Sequence, residues 1–158
     1  MGKDSTTYQH LEHRLEIVEN NFSKKHNIFF INDSKATNIE STLVAIQSFP
    51  KNILLLLGGD PKGESFLPLA KYLGHNIKKI YPFGKASQNI IQDLDQKSVY
   101  LNHSSQKMFQ AFEKAVQDAE NGDIVLLSPA CASFDEFQNF EHRGKEFKKQ
   151  VHQLKDDA

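Results

Sequence analysis

Two lysines stand where this sequence is best placed to do chemistry, and each follows an apolar run. Lys35 lies in Asn32-Asp33-Ser34-Lys35-Ala36-Thr37-Asn38, directly after Phe29-Phe30-Ile31. Lys62 lies in Gly58-Gly59-Asp60-Pro61-Lys62-Gly63, after the run Ile53 to Leu57. An ammonium beside free backbone N–H groups binds anions, most strongly where a helix begins and its dipole adds positive charge. Thr37 and Glu40 have the S/T-x-x-E spacing of a capping box, with Leu43, Ile46 and Phe49 following at helical spacing, so a helix is expected to start just past Lys35. A third segment, Ser128-Pro129-Ala130-Cys131-Ala132-Ser133-Phe134-Asp135-Glu136-Phe137, offers small residues that let a ligand approach the backbone. Ser133 and Glu136 repeat the capping spacing there. Each feature alone has an ordinary reading: a helix cap, a tight turn, a solvated lysine. Jointly, two lysines and two helix starts suit a small ligand with two negative groups.

The elements that must position them follow from periodicity. Leu15–Glu19 and Ile28–Asn32 read as strands of a hairpin, with Asn20 to His26 as the turn. Helix Asn38–Ser48 stops before Pro50, and Ile53–Leu57, continuous and closed by two glycines, suits a strand covered on both faces. A helix with Phe66, Leu67, Ala70 and Leu73 leads to strand Lys79–Phe83. A short helix with Ala86, Ile90, Ile91 and Leu94 leads to a short strand, Ser98–Leu101. A helix from Met108 to near Gly122, strand Ile124–Leu127 and a closing helix from Phe140 to Leu154 complete the chain. The predicted fold class is α/β: a Rossmann-like, mainly parallel sheet of about six strands flanked by helices, with an N-terminal antiparallel hairpin. In such sheets ligands lie beyond the carboxyl ends of the strands, where the lysine turns fall.

Bulk properties exclude several classes. A chain of 158 residues with 39% hydrophobic residues fits one domain with its own core. A formal net charge of −1 argues against a nucleic-acid partner. The longest apolar run is too short to span a bilayer, and the N-terminus lacks a signal-peptide core, so a cytoplasmic protein is expected. Cys131 is the sole cysteine, which rules out an intrachain disulfide; a small buried thiol is its expected role, since no base can be assigned to it. The seven histidines show no ligand spacing, so no metal site is assigned. Neither G-x-x-x-x-G-K-[ST] nor G-x-G-x-x-G occurs. Residues 1–12 carry no pattern and read as a tether or the remnant of an interdomain joint; residues 13–158 form the domain.

The segments Asn32–Asn38, Leu56-Leu57-Gly58-Gly59 with Lys62, and Leu127–Ser133 with Asn139-Phe140 and Arg143-Gly144 resemble the C-terminal domain of the Mur ligases, in particular the branch that adds D-glutamate. The resemblance runs from about His13 to the end. It implies an ATP- and Mg2+-dependent ligase of peptidoglycan precursor synthesis, in which the carboxylate of UDP-MurNAc-L-alanine becomes an acyl phosphate and the amine of D-glutamate attacks it. By resemblance, Lys35, Thr37, Lys62, Ser133, Phe134 and Phe140 would hold D-glutamate. His13, Arg14, Asp33 and Lys35 would meet the nucleotide. The family's phosphate loop and Mg2+ ligands belong to a central domain outside this sequence, and a further N-terminal domain binds the UDP end, so this domain alone is expected to be inactive. The departures are Pro61 before Lys62 and Phe134 where an aliphatic residue is familiar. The competing reading is a free-standing α/β small-molecule-binding or interaction module.

Overall fold

The computed structural model describes residues 11–102 and 106–155. Five strands, β1 (Glu16–Val18), β2 (Phe29–Asn32), β3 (Ile53–Gly58), β4 (Ile77–Phe83) and β5 (Ile124–Ala130), form one sheet in the order β1-β2-β5-β3-β4. β1 runs antiparallel to β2, and all other pairings are parallel. The helices are α1 (Asn21–His26), α2 (Ile39–Gln47), α3 (Ser87–Leu94), α4 (Met108–Asp118) and α5 (Phe140–His152), with 3-10 turns at Leu67–Tyr72 and Asp95–Tyr100. This is the expected α/β architecture.

The alternation of side chains along a strand explains why continuous apolar runs are needed. Ile53, Leu55 and Leu57 of β3 face a core built with Ile39, Ala45 and Ile46 of α2, Leu69, and Ile90 and Leu94 of α3. Leu54 and Leu56 face the opposite core, with Phe22 of α1, Met108, Ala111, Phe112 and Ala115 of α4, and Phe147 and Val151 of α5. β5 divides likewise, Leu126 to the first core and Val125 and Leu127 to the second. In β4 a register shift opposite Ile53/Leu54 inserts Lys78, so Ile77 and Ile80 share one core although three positions apart.

Several local expectations change. Asn20 to His26 is helix α1 and not a bare turn: the Asn20 side chain accepts from Ser23 N, the Ser23 hydroxyl accepts from Asn20 N, and Asn27 ends the helix at φ 53°. In β1, Val18 faces the core and Ile17 is exposed, while Leu15, just before the strand, packs against the other core. The helix containing Phe66 to Leu73 is only a 3-10 turn, with Pro68 in its opening positions. Ser98–Leu101 is not a sixth strand; most of it lies in the second 3-10 turn, and Leu101 makes a single bridge to Ile80. Of the segment 1–12 expected to be a tether or joint, residues 1–10 lie outside the described residues. No helix among the described residues is long and apolar enough to cross a membrane.

Candidate functional site

The four loops that leave the carboxyl ends of β2, β3, β4 and β5 are tied to one another. Ala130 N donates to Ala36 O at 2.9 Å, joining the loop after β2 to the end of β5. Asp60 and Ala132 exchange two backbone bonds (2.8 and 3.2 Å), joining the loops after β3 and β5. Ala86 N donates to Gly59 O at 2.9 Å, and Lys85 N to the Asp135 carboxylate at 3.1 Å, which brings in the loop after β4. Glu64 Oε1 accepts from Ile39 N at 3.1 Å, so the loop carrying Lys62 reaches the start of α2 beside Thr37.

Beneath these loops lies Arg143, fully buried on α5. Its Nε donates to Ser34 Oγ (2.9 Å), Nη2 to Ser34 O (2.8 Å) and Nη1 to Cys131 O (2.9 Å). Ser34 Oγ donates in turn to Phe140 O at 2.7 Å. Among the described residues no carboxylate bonds the guanidinium, and desolvation holds its pKa down at about 10. Gly59 (φ +130°) completes the packing: a Cβ there would stand 3.2 Å from Arg143 Nη1 and against Ala132 O. Arg143 entered the sequence reading only as part of a motif, and no periodicity rule singles out a buried arginine as the tie between loops. The available signal was its place on an apolar helix face, four residues before Phe147.

Asp33 is 5% exposed. Its carboxylate accepts from Leu15 N (3.0 Å) and Ser128 Oγ (2.8 Å), pinning the start of β1, the end of β2 and β5 together. Burial pushes its pKa up to about 6, against those hydrogen bonds and the nearby charge of Arg14. Arg14, Leu15, Asp33, Lys35, Ala36, Ser41, Val44 and Ala45 line a cleft of about 200 Å³ with two cations at an apolar wall. Lys35 N donates to His13 O at 2.9 Å, and its Nζ lies 5.0 Å from the centroid of the Phe140 ring.

His13 is buried at φ 67° against Asn32, whose Nδ2 donates to His13 Nδ1 at 2.9 Å. Its ring fills the space a Cβ at Gly144 would take, which is why a glycine interrupts α5 there. Among the described residues Nε2 has no hydrogen-bond partner, although Glu12 Oε2 stands 3.7 Å away, and desolvation, the largest cause, lowers the His13 pKa.

Of the residues expected to form the site, Lys35, Arg14 and Asp33 line one cleft, with Phe140 beneath Lys35. Thr37, Lys62, Ser133 and Phe134 lie on the same tied loops but are not among the cleft-lining residues. Ser133 is buried, Thr37 half-buried, Lys62 exposed and Phe134 69% exposed. Both capping expectations fail. Asn38, not Thr37, caps α2 through a 2.9 Å bond from Ser41 N, because the extended Asn38 backbone aims its short amide at the first turn. Ser133 and Glu136 start no helix. Glu136 Oε1 instead accepts from Met108 N at 3.2 Å, at the start of α4, and α5 begins later behind Asn139. The N-terminus of α2 is also partly filled by Glu64, whose carboxylate takes the Ile39 N–H that was expected to be free. Cys131 is buried, as expected, with its thiol pKa pushed up by burial to about 12, so it is inert as a nucleophile. Among the described residues no group of three or more His, Cys, Asp or Glu is placed to hold a metal ion.

The sequence and the fold have known counterparts. The family profile "Mur ligase, glutamate ligase domain" matches residues 13–131. The chain belongs to the Mur ligase C-terminal domain family. Its relatives include proteins named UDP-N-acetylmuramoylalanine–D-glutamate ligase. That of Caldicellulosiruptor bescii is 39% identical across 94% of this chain and 32% of its own length. That of Clostridioides difficile is 40% identical across 94% and 32%, and that of Elusimicrobium minutum 45% identical across 89% and 30%. The chain thus spans about a third of the relatives it matches. The fold also resembles a crystal structure of MurF from Acinetobacter baumannii, with TM-score 0.52 at 14% identity, over 89% of this chain and 30% of that one. Within a Mur ligase C-terminal domain, the loops tied over Arg143 are the carboxyl-end edge that faces ligands in α/β sheets.

Proposed function

We propose that this chain is the D-glutamate-binding lobe of a MurD-type ligase, UDP-N-acetylmuramoyl-L-alanine:D-glutamate ligase, with residues 13–158 as the domain and residues 1–12 as its joint to the preceding one. One observation carries the reading. Among the described residues, Arg14, Lys35 and Lys62 form no ion pair, although they stand on loops gathered at one edge. Unneutralised cations on neighbouring turns are what a dicarboxylate needs. Lys35 and Lys62 would take the two carboxylates, Thr37 and Ser133 would add hydrogen bonds, and Phe134 and Phe140 would shield the bound amino acid. Its amine must stay free and unprotonated to attack.

The nucleotide side rests on the cleft lined by Arg14, Asp33 and Lys35, whose cations and apolar wall suit part of a nucleoside phosphate. His13 supports that cleft through its carbonyl bond to Lys35. ATP, bound with Mg2+ in the assembled enzyme, supplies the phosphoryl group that activates the carboxylate of UDP-MurNAc-L-alanine. Metal ligands would come from the other domains, and the reading places the enzyme in the cytoplasm.

The test is an NMR titration of this chain with D-glutamate, then an assay of phosphate release after mixing it with the N-terminal and central domains of such a ligase. Millimolar binding that shifts Lys35, Lys62 and Ser133, with activity only in the mixture, is expected. Shifts confined to other surfaces, or none, would leave the reading without support and favour a free-standing interaction module.

A further inference from the structure

We infer that Arg143 is a positioning residue for the amino-acid substrate, its guanidinium fixing the Lys35 loop and the Ser133 loop in one register. The inference rests on the proposed D-glutamate site and extends it to a residue that touches neither charge of the ligand.

Four observations support it. Arg143 is the largest fully buried side chain of the domain, yet its three hydrogen bonds go to neutral oxygens and none to a carboxylate. A buried cation is costly, and a well-packed apolar residue usually stabilises a core as well or better, so stability alone is a poor reason for it. Its partners lie on both sides of the crevice: Ser34 immediately precedes Lys35, and Cys131 stands two residues before Ser133. Through Ser34 Oγ the same network reaches the carbonyl of Phe140, whose ring lies under the Lys35 ammonium. Finally, Gly59 leaves room for Nη1, so the base of the Lys62 loop rests on the same guanidinium.

The rigid planar fork is what this task requires. It presents donors in fixed directions to two loops at once, whereas a lysine would offer one nitrogen on a flexible stem. Losing the fork should let the two loops slip relative to each other while the sheet beneath stays intact.

The experiment is a D-glutamate titration of the 15N-labelled chain, comparing native protein with Arg143→Lys and with Val151→Ala, a buried change two turns further along α5. Arg143→Lys should weaken binding by at least about tenfold and diminish the Lys35 and Ser133 amide shifts together. Val151→Ala should lower stability but keep affinity within about twofold of native. Equal affinity in Arg143→Lys and native protein, or equal weakening by Val151→Ala, would overturn the inference.

Absence of any D-glutamate shift in the native chain would instead count against the proposed site. Hydrogen exchange then decides about Arg143 by itself. Arg143→Lys should speed exchange at the amides of Lys35, Ala130 and Ala132 more than at Leu55 in the middle of β3. A uniform change across all four overturns it. Should Arg143→Lys not fold, Ser34→Ala, which removes the acceptor of Arg143 Nε and the bond to Phe140 O but leaves those of Nη1 and Nη2, must give the same exchange pattern at smaller amplitude.

Discussion

The two ends of the sheet differ in how much of their positive charge is paired. At the amino ends of the strands, Lys78 contacts Glu120 and Asp123, both at 2.8 Å, and Lys79 lies 3.6 Å from Asp118, which also accepts from the Tyr81 hydroxyl at 2.6 Å. Cation meets carboxylate, largely at the surface. At the carboxyl ends Lys148 pairs with Glu12 (2.8 Å) and with Glu16 (3.1 Å), which lies opposite Asn32, but Arg14, Lys35, Lys62 and Arg143 have no carboxylate ion pair among the described residues. Among the described residues, nine of the eleven buried polar or charged side chains lie at that end, and they are bonded mainly to one another and to backbone. An end built only for stability would resemble the first, with exposed pairs worth little and costing little. The second carries buried polar groups and unneutralised charge, an arrangement that favours binding over stability.

The largest effect should come from Asp33, the acid held inside the cationic end. Its carboxyl is raised from 3.8 to about 6, so the folded protein binds that proton more tightly than the unfolded chain does. The resulting stability is complete below about pH 4 and is lost as pH rises through 6, amounting to up to about 3 kcal/mol. Asp33→Asn should therefore gain stability relative to the native protein between denaturant unfolding at pH 4.5 and at pH 7.5. A pH-independent difference would mean that Asp33 is not burdened by burial.

Next is the charge contrast itself. Lys62→Ala should weaken D-glutamate binding about ten- to a hundredfold, or about 1.4–2.8 kcal/mol, with little change in melting temperature. Lys78→Ala at the opposite end should do the reverse, costing about 1 kcal/mol or less in stability and leaving the titration unchanged. Equal effects of the two on binding would show that only overall charge matters, and the contrast between the ends would lose its meaning.

The smallest effect concerns Glu64, the chain's own carboxylate at the start of α2. Glu64→Gln keeps an acceptor for Ile39 N but removes a negative charge from the loop that carries Lys62, so D-glutamate affinity should rise about threefold at low ionic strength and less at high salt. Weaker binding would instead make the Glu64 carboxylate a support that the site needs.

The degree to which these features were legible in the sequence differs by residue. The apolar runs Phe29–Ile31, Ile53–Leu57 and Ile124–Leu127, separated by helical patterns, dictate parallel strands with two covered faces, because only burial on both sides accommodates such runs. From that the location of the lysine turns at the carboxyl edge follows. The short elements were less legible. Asn20-Phe22-Ser23 and Thr37-Asn38 each offer competing caps, and which one forms depends on the φ and ψ angles the neighbouring strand imposes. Ser98–Leu101 has strand-like residues but meets β4 at one bridge only.

The amino-acid sequence by itself determined the fold class, the order of the five strands and the longer helices, and which turns carry cations, since these depend on local periodicity and on the chirality of crossovers. Only tertiary structure decided that Glu64 fills the helix start Thr37 was expected to cap, that Glu136 serves α4, that His13 is buried against Gly144, and that Arg143 ties the loops. Those outcomes join residues up to 131 positions apart in the chain, as His13 and Gly144 are. The free energy of a hydrogen bond or a buried charge is set by what surrounds it after the chain has closed, which no local window contains.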